Sequence, residues 1–302
     1  MSRKINYNRY KYQTKAENYK SFLATLPSDY DYNQVDRYHE SILTAAICNK
    51  NYDMINAIID RVDINGSRKT ELYPIELAVL NPNIQIINLL LSRLDFVIRS
   101  DDESLHFAAA DGNIEVLDIL LQKGYDINKL VNKRTVLHWA IQEGDIETVK
   151  YLLSHGADVN AVDVEEYETT LNTACGEYKF GNVKQLDIIH LLLDYGANKE
   201  QINDSLCAAV CWKNRTLVEV FLANGADANC ISHEGYTPLF YAKLRRVTDI
   251  EKLLLSFGAS QSFTSEQGIS ISDLENEEIR LREFIKWYYP ADELDSLHKI
   301  ID

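Results

Sequence analysis

Residues 134–161 read RTVLHWAIQEGDIETVKYLLSHGADVNA, and this stretch decides the fold. A short helix with an apolar stripe can begin after Thr135, which is a good capping residue, and end at Gly144. A second helix with the same apolar spacing starts near Ile146 and ends at Gly156, where glycine supplies a left-handed turn. Isolated helices under about 12 residues are marginal in water. Each helix must therefore pack against neighbours to be stable.

The same pattern recurs along the chain, in copies that begin at Glu40, Leu72, Glu103, Thr169, Asp204 and Tyr236. The first apolar residue of each copy serves as a marker. These markers are spaced by 32, 30, 32, 34, 35 and 33 residues, and they are Leu43, Ile75, Leu105, Leu137, Leu171, Leu206 and Leu239. A period near 33 residues predicts a solenoid in which the apolar stripes of successive helix pairs merge into one core.

Several copies resemble the ankyrin repeat, whose marks are T-P-L-H-x-A and a later G-A-D-x-N. The first mark is matched by TVLH at 135–138 and TPL at 237–239, and the second by GADVN at 156–160 and GADAN at 225–229. The resemblance covers residues 38–264. It implies an all-α ankyrin-repeat solenoid of about seven helix-turn-helix units, in which the histidine links neighbouring units by hydrogen bonds.

Some copies depart from the pattern, and the chain extends beyond the copies at both ends. Lys50 and Pro82 replace the glycine between the helices of the first two copies, and the fifth copy has six extra residues within GEYKFGNVK at 176–184. Repeat arrays need atypical ends that cover their terminal apolar faces. We therefore expect an N-terminal capping segment at 1–37, with a helix in AENYKSFLATL. We also expect a helical C-terminal cap at 265–302, entered through a capping box at SDLE (272–275). A docking helix for a partner is the alternative for the C-terminal segment.

Composition excludes several functional classes. The 302 residues carry a net charge of −15, which argues against binding to a phosphate backbone. No apolar run approaches the roughly 20 residues that span a bilayer. The first residues lack the apolar stretch of a signal peptide, so we expect a cytoplasmic protein. We also expect it to be a monomer. No glycine-rich phosphate loop is present, and we expect no cofactor.

The sequence offers two candidates for a chemical site, a zinc site and a site of asparagine hydroxylation. Zinc binding by thiolates is one interpretation of the four later cysteines, but structural zinc prefers closely spaced pairs, which favours buried thiols instead. These cysteines are Cys175, Cys207, Cys211 and Cys230. The resemblance also implies that asparagines of the repeat can be hydroxylated, at Asn128, Asn160 or Asn229. No catalytic or metal-binding residues are predicted.

The resemblance implies that partner proteins bind the turn tips and the ends of the first helices. In this sequence those positions form an acidic centre followed by an aromatic region, which predicts a partner with a basic surface or helix. The candidate residues are Asp102, Asp111, Arg134, Glu143, Glu165, Glu166, Glu168, Tyr178, Phe180, Trp212, Tyr236 and Arg245.

The leading hypothesis is a non-enzymatic scaffold for protein binding. Members of the family occur as host-directed effectors of intracellular bacteria and large viruses, and the richness in Asn, Ile, Lys and Tyr is compatible with such an origin. An effector would act in the host cytoplasm. The alternative is an enzyme, or an enzyme-recruiting protein, with its site in an end segment or in the fifth-copy insertion.

Overall fold

The computed structural model describes residues 14–35, 40–66, 72–164, 168–179, 184–277, 279–280 and 283, and for 177–179 it describes the backbone only. Over these residues the regular secondary structure is helical, and extended pairing is limited to isolated bridges such as that between Val131 and Arg134. The predicted all-α class is confirmed.

The helices of the described residues follow α1 as seven consecutive pairs, one pair in each copy of the sequence pattern. They are α1 (Tyr19–Ala24), α2 (Ile42–Cys48), α3 (Tyr52–Ile58), α4 (Pro74–Leu80), α5 (Ile84–Leu91), α6 (Ser104–Ala110), α7 (Ile114–Lys123), α8 (Val136–Glu143), α9 (Ile146–Ser154), α10 (Thr170–Lys179), α11 (Gln185–Asp194), α12 (Lys199–Cys211), α13 (Arg215–Ala223), α14 (Pro238–Leu244) and α15 (Thr248–Ser256).

The chain divides into two compact units, one of residues 1–158 and 163–165 and the other of 159–162 and 166–302. In the first unit α2, α4, α6 and α8 pack side by side, and each also contacts the second helix of its own pair. In the second unit α10, α12 and α14 pack in the same way. Within each unit, the first helices of the pairs therefore lie at the junctions between successive copies.

An alanine three residues after each marker explains how the first helices approach one another. These alanines are at most 1% exposed, and they are Ala46, Ala78, Ala108, Ala140, Ala174, Ala209 and Ala242. A methyl group at the contact permits close packing of neighbouring helices, whereas a larger side chain would force them apart. The markers themselves are at most 3% exposed and supply the adjoining core.

Capping follows the predicted pattern in the fourth copy. Thr135 is the N-cap of α8, with its hydroxyl 2.8 Å from Nδ1 of His138. Gly144 ends the helix with a φ of 73°. The predicted link between copies is seen at the equivalent His106, whose Nε2 lies 3.2 Å from the carbonyl oxygen of Arg134.

Glu76 takes the histidine position in the second copy and makes the same kind of link. Its Oε2 accepts a hydrogen bond from the backbone N–H of Tyr73 at 2.8 Å, and its Oε1 accepts one from the backbone N–H of Glu103 at 2.8 Å. The side chain is fully buried. A buried carboxylate is tolerated here because both of its oxygens are hydrogen-bonded.

Backbone glycine is replaced at several left-handed positions. Lys50, Lys213 and Arg246 have φ of 51°, 57° and 54° at the turn between the two helices, where Gly112 and Gly144 stand in other copies. Left-handed backbone costs a residue with a β-carbon roughly 1–2 kcal/mol. The surrounding packing offsets this cost in three of the copies.

The end segments agree with the sequence only in part. Helix α1 lies within the predicted AENYKSFLATL stretch. The capping box predicted at Ser272 is wrong, because Ser272 is already helical in conformation and makes no side-chain cap. Ser270 and Asp273 form the reciprocal bonds instead, at 2.8 and 3.2 Å, ahead of a 3₁₀ turn at Asp273–Glu275. The helical cap at 265–302 remains a prediction, and residues 284–302 lie outside the described part of the chain.

Candidate functional site

A groove of about 750 Å³ crosses the first helices of the second unit. Its walls come from α10, α12, the turn at 231–236 and α14. The lining residues are Glu168, Asn172, Gly176, Asp204, Cys207, Ala208, Cys211, Trp212, Ser232, His233, Glu234 and Tyr241. The groove therefore lies at the predicted kind of position, between turn tips and the ends of first helices.

Trp212 is the large aromatic side chain of this groove. It is the C-cap residue of α12, and its backbone N–H donates to the carbonyl of Ala208 at 2.9 Å. The side chain is half-buried, so part of the indole faces the groove. An indole held at a helix end provides a large contact area with little conformational entropy to lose on binding.

The turn before α14 is fixed by hydrogen bonds. The N–H of Ser232 donates to the carbonyl of Tyr236 at 3.0 Å, and the N–H of Gly235 donates to that of Ser232 at 2.8 Å. The hydroxyl of Tyr241 lies 2.9 Å from that of Ser232 and donates to the carboxylate of Glu234. Burial and the Glu234 carboxylate hold the pKa of Tyr241 well above its usual range, so it remains a neutral donor. Glu234 is thereby held at the wall of the groove.

Carboxylates give the groove its charge. Glu168, Asp204 and Glu234 line it, and its described lining contains no lysine or arginine. Partial burial, followed by the nearby carboxylate of Glu200, raises the pKa of Asp204, while His233 opposes the shift. Asp204 and Tyr241 are not among the site residues predicted from the sequence. The spacing of Asp204, Ala208 and Trp212 by four residues places them on one helix face and was the available signal.

Arg245 borders the same region. Burial and the charge of Glu234 raise the pKa of the Cys211 thiol to about 12, and Arg245 acts against that shift. Arg245 is half-buried at the C-cap of α14. A predicted candidate is thus close to the groove, where it partly balances the acidic wall.

Tyr236 packs into the fold more than the sequence suggested. Its ring stacks on Phe240 with centroids 4.7 Å apart and meets Tyr241 edge-on at 5.6 Å. The side chain is half-buried and is not among the described lining residues of the groove. Tyr236 supports the turn that carries Glu234, and its own role as a contact residue stays a prediction.

The candidates of the first unit behave differently from one another. Asp111 and Glu143 are exposed at the ends of α6 and α8. Arg134 is half-buried and forms an ion pair of 2.6 Å with Asp163, whose side chain is 3% exposed. It also donates to Gln142 at 3.2 Å. The positive charge of Arg134 is largely neutralised within the fold.

The prediction that Asp102 is an exposed contact residue is wrong. The sequence predicts that Asp102 lies on the exposed acidic face, but it is only 4% exposed. Its carboxylate accepts hydrogen bonds from the hydroxyl of Tyr125 at 2.7 Å and from the backbone N–H of Ser104 at 2.8 Å. A carboxylate with these two donors stabilises the start of α6 rather than meeting a partner.

The remaining candidates fall at the edges of the described chain. Glu168 lines the groove and is half-buried. Glu165, Glu166 and Phe180 lie outside the described residues, and Tyr178 is described by its backbone only. Helix α10 reaches Lys179, so the first part of the fifth-copy insertion lengthens this helix.

The four later cysteines are all thiols, and three of them are buried. Sγ of Cys207 lies 3.7 Å from Sγ of Cys230. Burial holds the pKa of the Cys175 thiol well above its usual range. Across the described residues no group of three or more His, Cys, Asp or Glu side chains could hold a metal ion.

The asparagines at the ends of the copies are bound into the fold. Asn128 and Asn229 each bond two backbone groups of the following copy, and Oδ1 of Asn160 accepts from the N–H of Asn198 at 2.8 Å. These contacts give the three asparagines a structural role, and their hydroxylation stays a prediction.

Comparison with known families bears on the middle part of the array. The family model described as ankyrin repeats (3 copies) matches residues 75–163 and 105–203. No curated protein matches the chain. Within the described residues, no helix has both the length and the apolar character needed to cross a membrane.

Proposed function

Since the chain carries ankyrin repeats, which generally mediate binding between proteins, we propose that it is a non-enzymatic scaffold whose acidic groove binds a basic segment of a partner protein. The proposed site is the groove lined by α10, α12, the turn at 231–236 and α14. One observation carries the proposal: the same groove holds the Trp212 indole and three carboxylates. Its described lining residues include no lysine or arginine.

Charge complementarity argues for a basic partner. The carboxylates of Glu168, Asp204 and Glu234 lie around a concave volume that partly excludes water, where opposite charges interact more strongly than on an open surface. The chain as a whole carries a net charge of −15, which adds a long-range attraction for cations. These charges act mainly on the association rate and on selectivity.

The Trp212 indole provides an apolar and aromatic contact surface in addition to the charges. A lysine or arginine side chain that enters the groove can place its cationic head near the carboxylates and its apolar stem, or its guanidinium plane, against Trp212. Aromatic residues that are partly buried at the centre of a contact often account for most of its binding energy. We therefore assign specificity to the carboxylates and affinity to Trp212.

We also propose a cellular location and an oligomeric state for the protein. The protein would be a monomer in the cytoplasm. If it is an effector, the cytoplasm is that of a host cell. The alternative is an enzymatic or enzyme-recruiting site in an end segment, 1–37 or 265–302, or in the fifth-copy insertion, and residues 1–13, 180–183 and 284–302 of these segments lie outside the described chain. The proposal needs no cofactor, because it involves binding only.

Selection from a random peptide library with the full chain as bait tests the proposal. We expect the enriched peptides to carry a net positive charge and to be displaced by salt. Enrichment of acidic or uncharged apolar peptides would argue against it.

Charge-neutral variants then locate the site. The groove variant combines Glu168→Gln, Asp204→Asn and Glu234→Gln. A matched control removes the same charge from exposed positions on α11 and α15 with Asp187→Asn, Asp194→Asn and Asp249→Asn. We expect about a tenfold or greater loss of affinity for the groove variant and a much smaller loss for the control. Equal losses would mean that only the net charge of the protein matters.

A further inference from the structure

We propose that Cys207 and Cys230 form a reversible disulfide, a modification site in the wall of the groove. Cys207 lies on α12, and Cys230 lies in the turn that follows α13. Their Sγ atoms are 3.7 Å apart, which is van der Waals contact between two thiols. The two residues are 23 positions apart in the sequence, so the bond would close a loop that contains all of α13.

Hydrogen bonds hold the two sulfurs in this arrangement. The thiol of Cys230 donates to the carbonyl of Asn203 at 3.7 Å, which leaves its sulfur as the acceptor for the thiol of Cys207. The backbone N–H of Cys230 donates to the carbonyl of Asp227 at 2.9 Å and fixes the turn. A disulfide needs a sulfur separation of about 2.05 Å, so the side chains must rotate toward each other by a short distance.

The groove gives a small oxidant access to the pair. Cys207 and Cys230 are only 5% and 9% exposed, but Cys207 is among the residues that line the groove. A low-molecular-weight disulfide that enters the groove therefore meets Cys207 first. A cationic reagent of this class is favoured by the carboxylates of the same groove.

The chemistry is a two-step thiol–disulfide exchange. The thiolate of Cys207 attacks one sulfur of the reagent, whose sulfur–sulfur bond breaks and releases one reagent thiolate. The thiolate of Cys230 then attacks the Cys207 sulfur of the mixed disulfide and releases the second. The two cysteines lose two electrons, and the reagent is reduced to two thiols that take up the two protons.

The environment makes this exchange slow at neutral pH. The hydrogen bond with Cys230, followed by burial, holds the pKa of the Cys207 thiol well above its usual range. The attacking thiolate is therefore scarce, and the rate should rise about tenfold per pH unit. The pair thus responds to sustained oxidation rather than to a brief pulse.

The bond would tie α12 to the turn that leads into Ser232, His233 and Glu234, three residues of the groove wall. Oxidation thereby fixes one wall of the groove relative to the helix that carries Trp212. Any effect of this on partner binding rests on the proposed function, whereas formation of the disulfide does not.

The test treats the folded full-length chain with cystamine, a small cationic disulfide, and then alkylates the remaining thiols. Mass spectrometry of the intact protein and of its unreduced peptides reads the result. We expect a loss of two hydrogen atoms, a peptide carrying Cys207 linked to one carrying Cys230, and reversal by a reducing agent. The rate should increase with pH as stated above.

Serine variants identify the bond. Cys211→Ser is the matched control, because Cys211 lies one helical turn from Cys207 and also lines the groove. The link should form in Cys211→Ser and be absent from both Cys207→Ser and Cys230→Ser, each checked for native helix content by circular dichroism. Alkylation of both cysteines after oxidation, or a link that survives in either of these two variants, would overturn the proposal. Because no partner is involved, this outcome is independent of the peptide selection.

Discussion

The side-chain amide of Asn128 donates a hydrogen bond of 3.0 Å to the carbonyl of Gly156, in the next copy of the repeat. Its Oδ1 accepts a second bond from the N–H of Asp158 at 2.7 Å. Asn229 binds the carbonyl of Gly258 and the N–H of Ser260 in the same way, at 3.0 and 2.6 Å. One amide side chain thus satisfies two backbone groups of the following copy, and only a group with both a donor and an acceptor can do so.

Replacing Asn128 by aspartate should therefore destabilise the protein. The change removes the donor to Gly156 and places a carboxylate against a carbonyl oxygen, which should lower the free energy of unfolding by about 1–2 kcal/mol. Urea unfolding measures the effect. Asn132→Asp, at an exposed position of the adjoining turn, makes the same chemical change and should alter stability by no more than about 0.5 kcal/mol. Equal effects at both positions would refute the role given to the Asn128 amide.

Lys213→Gly should stabilise the protein. The residue has a φ of 57°, which strains any side chain with a β-carbon. Relief of this strain exceeds the entropy cost of glycine, and we expect a gain of about 0.5 kcal/mol or more in urea unfolding. Lys213→Ala is the control, because it removes the charge and the long side chain but retains the β-carbon. If alanine stabilised as much as glycine, backbone strain would not be the cause.

Protonation of His106 should reduce stability in mild acid. Burial lowers its pKa from the ordinary value of 6.5, so the folded chain holds this histidine neutral. The unfolded chain binds a proton below about pH 6.5 and the folded chain does so only at lower pH, so this contribution to stability is present above pH 6.5 and is lost as the pH falls. The loss is at most about 1.4 kcal/mol per pH unit.

A variant without the titrating group isolates this effect. The free energy of unfolding is measured at about pH 7.5 and about pH 5.5 for the wild type and for His106→Gln. We expect the wild type to lose more stability between these conditions than the variant does. The comparison uses only the difference between the two pH values, so a general destabilisation of the variant does not affect it. An equal loss in both proteins would contradict the assignment.

Most of the fold could be predicted from the sequence because each copy has a similar spacing of apolar and helix-ending residues. Thr135 and Gly144 mark the limits of α8, and the spacing from Leu137 to Leu171 places the next first helix. The buried alanine after each marker follows from the same register. Repetition makes such predictions reliable, since an error in one copy would conflict with the others.

The site could be predicted less well, because burial and hydrogen bonding depend on contacts between copies. Asp102 reads as a surface carboxylate in a polar turn, yet Tyr125, which lies 23 residues later, covers and binds it. Ser272 matches a capping pattern, but the backbone places Ser270 in that role. Asp204 belongs to the groove only because α10, α12 and the turn before α14 converge there. The relations of Asp102 and Asp204 are not local in sequence.

The central claim is that the groove on α10, α12 and α14 binds a basic segment and that Trp212 supplies much of the affinity. The direct measurement is the dissociation constant of the best selected peptide, by isothermal titration calorimetry, for the wild type, Trp212→Ala and Tyr195→Ala. Tyr195 is a matched control, because it is also an aromatic residue at a helix C-cap, at the end of α11. We predict a loss of about thirtyfold for Trp212→Ala, equivalent to about 2 kcal/mol, and less than about twofold for Tyr195→Ala. Unchanged binding by a folded Trp212→Ala variant would contradict the account.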